Sequence, residues 1–274
     1  ATTALRDSTL DAVWLPPASA AVAQGGPTPV ARLFTASALG IGPTQLITQV
    51  LTSAGKAEGA TTTVTDVVPL PAHDPFGISS FFFSVAVFLP TFLGAMVLAL
   101  LLRRTPWVAM AVGIVVLAGS VGVIDVAVAD GALGALTGHS GALIGIAALT
   151  SFAVSAPTAA LGRAWGPVGA LLAVLVFVVL GLPASGGPFG SAFLPAFHRV
   201  VSPVLPLTNA VSAVRNTSYF HGHAVSGHLR TLTIWALGGA FVLAVMAVLE
   251  ASRRSTQARG SIPEGRATAV SDAR

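Results

Sequence analysis

The chain has 274 residues, 54% of them hydrophobic and 9% charged, with a net charge of +4 and a mean hydropathy of +0.82. Soluble domains carry about 25% charged residues, so this composition points to an integral membrane protein. Arginines set beside apolar runs argue for orientation in a bilayer and against nucleic acid as a partner, and the absence of Cys excludes disulfide and thiol chemistry.

Residues 1–76 read as a soluble region. Residues 11–15 and 30–35 are predicted strands. Residues 43–54 are a predicted helix, with Pro43 in its first turn and Gly55 at its end, and the β-branched run 61–68 is a third strand. The order β-β-α-β describes a small α/β unit with partner strands expected upstream of residue 1. Pro71, Asp74, Pro75 and Gly77 then form a hinge.

Five spanning segments follow. Residues 78–102 carry fifteen Leu, Ile, Phe and Val residues, each favouring insertion by roughly 0.3–0.6 kcal/mol; Pro90 should kink this span without ending it. Residues 107–128, 142–161, 168–182 and 232–249 are the others, most of them near the ~20 residues a bilayer requires. If the spans alternate, Arg103, Arg104, Arg163, Arg253, Arg254, Arg259 and Arg266 share one side, which should be cytoplasmic. The first region and the 183–228 connection then lie outside, the latter carrying Arg199 and Arg215 against the trend. The chain opens on Ala1 without a signal segment, so a missing N-terminal piece with a membrane anchor is expected. Residues 251–274 read as a polar, disordered cytoplasmic tail. The abundance of Ala, Val, Gly and Arg over a single Lys (Lys56) suggests a bacterial source.

The 183–228 connection is too broken by Pro and Gly to span a bilayer. Pro195, Pro203 and Pro206 each remove a backbone donor, yet Phe193, Phe197 and Val200 fall at helical spacing, as do Leu207, Val211 and Val214. Two short amphipathic helices are predicted, folded back at one membrane face or dipping part-way in, and packed on the other helices as a plug or lid. Arg215 closes the second apolar face. It is read either as a pin hydrogen-bonded to helix-end carbonyls or as a snorkelling interfacial arginine.

Asp125 is the one acid inside a predicted span. At the bilayer centre a carboxylate costs about 2.5–3.5 kcal/mol, so Asp125 is a candidate proton or substrate site with His139 as partner, or else a helix-end acid reaching the interface near Asp130. Gly141 and Gly145 form a small-xxx-small step suited to helix packing or a dimer seam. His221, His223 and His228 lack an acid or Cys to complete a metal set, so no metal site is expected. No Gly-x-x-x-x-Gly-Lys-Ser/Thr, His-Glu-x-x-His or Gly-x-Ser-x-Gly occurs, which excludes a P-loop in this chain and gives no sign of an enzyme.

Asp74-Pro75-Phe76-Gly77 before the first span, Ser185-Gly186-Gly187-Pro188-Phe189, Leu194-Pro195-Ala196-Phe197, Pro203-Val204-Leu205-Pro206 and Ala210-Val211 up to Arg215 together resemble the YhgE/Pip (phage-infection-protein) group of the ABC type-2 permease superfamily, over residues 60–250. The resemblance implies six spans, a large outer domain after the first, and a re-entrant hairpin before the last, with Gly186, Gly187, Pro195 and Pro206 as its structural positions. Five spans and a short outer region fit a chain cut at its front or a diverged short member. The implied activity is export of an amphipathic or lipid-like substrate, as a dimer or with a partner half. ATP would act only through a separate ATPase subunit, although the connections at Arg103 and Arg163 are short for coupling. The alternative is a non-transporting surface receptor or envelope scaffold acting through the outer unit.

Overall fold

A computed structural model of the chain describes residues 2–6, 10–17, 29–102, 104–132, 134, 136, 138–190 and 193–260. The first part holds α1 (Thr2–Arg6), β1 (Ala12–Leu15), β2 (Val30–Thr35), α2 (Ile41–Ala57) and β3 (Thr61–Asp66). The sheet order is β1-β2-β3. Strands β1 and β2 are antiparallel, with Ala12 opposite Thr35, and β2 and β3 are parallel, with Val30 opposite Thr61. Helix α2 is the crossover that parallel pairing demands. Along β2, Ala31, Leu33 and Thr35 face inward, the two-residue alternation of a half-buried strand. The predicted β-β-α-β order is therefore present, preceded by a short helix that was not predicted.

The rest is helical: α3 (Ser79–Leu101), α4 (Trp107–Val126), α5 (Ser140–Trp165), α6 (Pro167–Ala173), α7 (Gly181–Ala184), α8 (Ala196–Val201), α9 (Pro206–Tyr219) and α10 (Val225–Gly260). A π-helical stretch, Ala127–Ala132, prolongs α4, and another, Val174–Leu180, joins α6 to α7. Five segments are long and apolar enough to cross a membrane: Ser79–Leu101, Trp107–Gly131, Ser140–Trp165, Pro167–Ala184 and Val225–Ser252. They coincide with the five predicted spans, and Pro90 sits inside α3 without ending it. Helix α10 runs to Gly260, ten residues into the segment expected to be disordered, because the helical register simply continues through 251–260. Arg103 and Arg266, used to orient the chain, lie outside the described residues, as do the side chains of Arg253, Arg254 and Arg259.

Helix α5 is the hub, packed by α3, α4 and α10. Small residues let backbones approach it. A Cβ on Gly122 of α4 would stand 3.1 Å from the Ala148 nitrogen, and one on Gly239 of α10 would stand 2.8 Å from Ala156 Cβ. Gly141 and Gly145 do not pack in this way, and open space surrounds both. The rotation of α5 that buries Leu143, Ile146 and Ala147 turns these two glycines outward.

The end of the bundle away from the sheet is closed by Arg163. Its guanidinium donates to the carbonyls of Leu102 and Thr105, lies 4.3 Å from the centre of the Trp107 ring and pairs with Glu250 of α10 at 3.7 Å. The arginine thus ties the turn between α3 and α4 to α5, adding to the bonds that Thr105 already donates to the Leu102 carbonyl. Arg163→Ala is expected to lower stability by about 2 kcal/mol, read as a lower thermal midpoint in detergent; an unchanged midpoint would mean that water replaces all of these bonds.

Candidate functional site

Helix α9 begins where Leu205, in extended conformation, meets Pro206 in the first helical turn, a position that needs no N–H. Its predicted apolar face is correct, but it is buried among helices. Leu207 and Val211 pack on Phe88, Phe92 and Phe177, and Val214 joins Phe83, Val87, Ile146 and Ala147. Asn216 and Thr217 are also buried. The first arm differs: Phe197 and Val200 of α8 are exposed, at 60% and 78%. The two predicted short helices are therefore present, with α9 buried among the bundle helices and α8 on the surface, packed on α7 and not along α9. Gly186 and Gly187 take left-handed φ values of +75° and +56°, Pro195 immediately precedes α8, and Pro206 opens α9, so the four hairpin positions occupy its turns.

Polar bonds hold α9 from several sides. Asn209 Nδ2 donates to the carbonyls of Pro203 (2.9 Å) and Leu205 (2.8 Å), and Asn209 Oδ1 lies 3.0 Å from His228 Nδ1 on α10. Thr208 donates to Ala184 at 3.1 Å. Trp235 Nε1 donates to the Val204 carbonyl at 2.7 Å.

The second half of α9 is tied to the sheet unit and to α3. Arg215 Nη1 donates to the carbonyl of Leu39 at 3.2 Å, at the end of a short 3₁₀ turn that follows β2. Arg215 Nε and Nη2 are buried with no hydrogen-bond partner among the described residues. One turn on, the Tyr219 hydroxyl donates to Asp74 Oδ2. Asp74 is itself 3% exposed and accepts the N–H groups of Ile78 and Ser79, each at 3.1 Å, so one carboxylate caps α3 and anchors α9. Burial lowers the Arg215 pKa from its ordinary value, opposed by the negative charge of Asp74. Burial, and then the bond to Asp74, push the Tyr219 hydroxyl well up, keeping it a neutral donor.

A cavity of about 440 Å³ opens beside Arg215, between α2 and the hairpin, lined in part by Asp11, Thr44, Arg199, Asn216 and His228. Arg215 is thus pinned to a carbonyl as one of its two readings required, although that carbonyl belongs to the sheet unit and not to a bundle helix.

Asp125 lies elsewhere. It lines a second cavity of about 360 Å³ between α3 and the end of α4, and its Oδ2 is buried without a hydrogen-bond partner among the described residues. His139 does not line that cavity. It precedes α5 with its ring 6.3 Å from that of His221, while the nearby acid Asp130 accepts the Ser140 hydroxyl. The predicted Asp125–His139 pairing is corrected accordingly: no hydrogen bond or ion pair joins the two among the described residues, and the His139 ring lies by His221 instead. His221 and His223 border a cleft with Pro69 and Pro71, apart from His228. Among the described residues no three His, Cys, Asp or Glu side chains gather as a metal set.

Sequence reading missed the role of Asp74, although an Asp shortly before an apolar run is an N-terminal helix signal. It also missed Tyr219, whose only mark is that the chain has one Tyr.

No protein family, curated protein or solved structure matches the chain. Five apolar helices indicate a multi-pass membrane protein.

Proposed function

We propose that this protein is the membrane component of an exporter for amphipathic or lipid-like substrates, working as a dimer or with a partner half. The observation that carries the reading is the buried α9: a helix outside the five apolar segments, wedged between α3, α5 and α10 beside a polar cavity. The turns flanking α9 are exposed at Pro203 and Val204 and from His221 to Ala224, as suits non-helical backbone that meets water at one face of the bilayer. The resemblance to YhgE/Pip permeases supplies the reaction class, and any ATPase would be a separate subunit. The Arg104 and Arg163 end is assigned to the cytoplasm and the sheet end to the outside.

Beneath α9 the bundle is filled, with Phe88 and Phe177 fully buried. Substrate therefore passes only when α9 shifts, and the bonds from Arg215 to Leu39 and from Tyr219 to Asp74 hold it in place. The test is efflux from cells carrying or lacking the gene. Arg215→Ala is expected to lower efflux by roughly tenfold, equivalent to about 1.4 kcal/mol, at unchanged membrane levels. Unaltered drug and lipid sensitivity after deletion, with loss of a surface-binding phenotype, would favour the receptor or scaffold reading instead.

A further inference from the structure

The cleft between α3 and the end of α4 differs from an ordinary lipid-facing groove in one respect: a single carboxylate sits in an apolar wall. Phe82, Phe83, Ala86, Val128 and Leu136 form most of that wall, with Asp125 among them. Phe83 is 6% exposed and makes the floor, whereas Phe82, at 56%, stands at the open side. None of the described residues lining the cleft is Lys, Arg or His, and although Asp125 as a whole is half-buried, its Oδ2 is buried and accepts no hydrogen bond from the described residues. An ionised acid in such surroundings is costly unless a positive charge accompanies it. A metal ion is a poor match, since hard cations take six or more oxygen ligands and no cluster of acids or histidines surrounds Asp125 among the described residues.

We propose that this cleft binds an organic ammonium cation with an aromatic or aliphatic body, its charge on Asp125 and its body against Phe82 and Phe83. Both halves of the ligand are accounted for by residues in place. The carboxylate gains its counterion, and Phe82, Phe83 and the rest of the apolar wall take the body. The cleft opens beside the first turn of α3, near Ser79, where an amphiphile lying in the outer half of a bilayer would arrive head first. The inference rests on the membrane reading and narrows the exporter's substrates to cationic amphiphiles.

The test is equilibrium binding of 1-naphthylmethylammonium and of its neutral counterpart, 1-naphthylmethanol, to the purified full chain in lipid nanodiscs. The expected result is saturable binding of the cation at least about tenfold tighter than the alcohol, with that preference lost in Asp125→Asn and both ligands weakened by Ala86→Trp, which fills the cleft. Equal affinity for cation and alcohol, or an Asp125→Asn protein that keeps the preference, would overturn the proposal; the first comparison needs no variant and stands even if Asp125→Asn does not fold. Binding that depends on Asp125 without any efflux in cells retains the site and rejects the exporter. Efflux without such binding does the reverse.

Discussion

Asp74→Ala is expected to destabilise the protein by about 3 kcal/mol, because several hydrogen bonds to one buried carboxylate, worth about 1.5–3 kcal/mol each, are lost together. Three losses coincide. The N–H groups of Ile78 and Ser79 lose their acceptor, the Tyr219 hydroxyl loses its partner, and the buried Arg215 loses the nearest compensating charge. Asp74→Asn should cost less, because an amide oxygen can still accept from α3. Tyr219→Phe isolates the α9 half of the effect and has a pH signature. The Tyr219 pKa is raised in the folded protein, so its stabilising contribution is complete below the unfolded value of about 10 and declines above it. Thermal midpoints followed from about pH 8 to about pH 11 should fall more steeply in the wild type than in Tyr219→Phe. Equal slopes would place the hydroxyl in water, and a wild-type midpoint for Asp74→Ala would remove the anchor altogether.

Gly169→Ala should also be damaging, by about 3 kcal/mol or more. The corner between α5 and α6 turns at Gly166, with φ +59°, and the first turn of α6 then lies directly against α5. A Cβ on Gly169 would fall inside the van der Waals radius of the Leu161 carbonyl oxygen. That oxygen is backbone within a helix and cannot swing aside as a side chain would, so the corner must open. The expected outcome is loss of the monodisperse species on size exclusion and rapid proteolysis in detergent. Gly119→Ala is the matching control. Gly119 has open space around it, and alanine there should be neutral or slightly stabilising through helix propensity. Equal behaviour of the two variants would contradict the tight corner.

Much of the architecture was legible because the signals are local. The apolar runs mark α3, α4, α5 and α10 by length alone, and the alternation of Ala31, Leu33 and Thr35 marks β2. Turn chemistry placed the hairpin, since Pro203, Pro206 and the paired Gly186 and Gly187 leave few other conformations. What stayed hidden depends on helix rotation and on pairings far apart in the chain. Gly141 and Gly145 have the spacing of a packing face, but only the burial of Leu143 and Ile146 decides which way they turn. Tyr219 meets Asp74 across 145 positions, and Arg163 reaches Leu102 across 61; no periodicity encodes such contacts. His139 was linked to Asp125 by nearness in sequence, a weak guide where a π-helical stretch intervenes.

The central place of α5 has a consequence for biogenesis. A ribosome delivers α3 and α4 before α5, and neither can make its contacts with α5 until that segment emerges. The hydroxyl of Thr91, which in the finished protein meets Ser151 at 3.0 Å, must until then turn back on its own helix. Assembly therefore waits on a late arrival, and a nascent chain released before residue 165 would leave the first two segments without the surface that sorts and seats them.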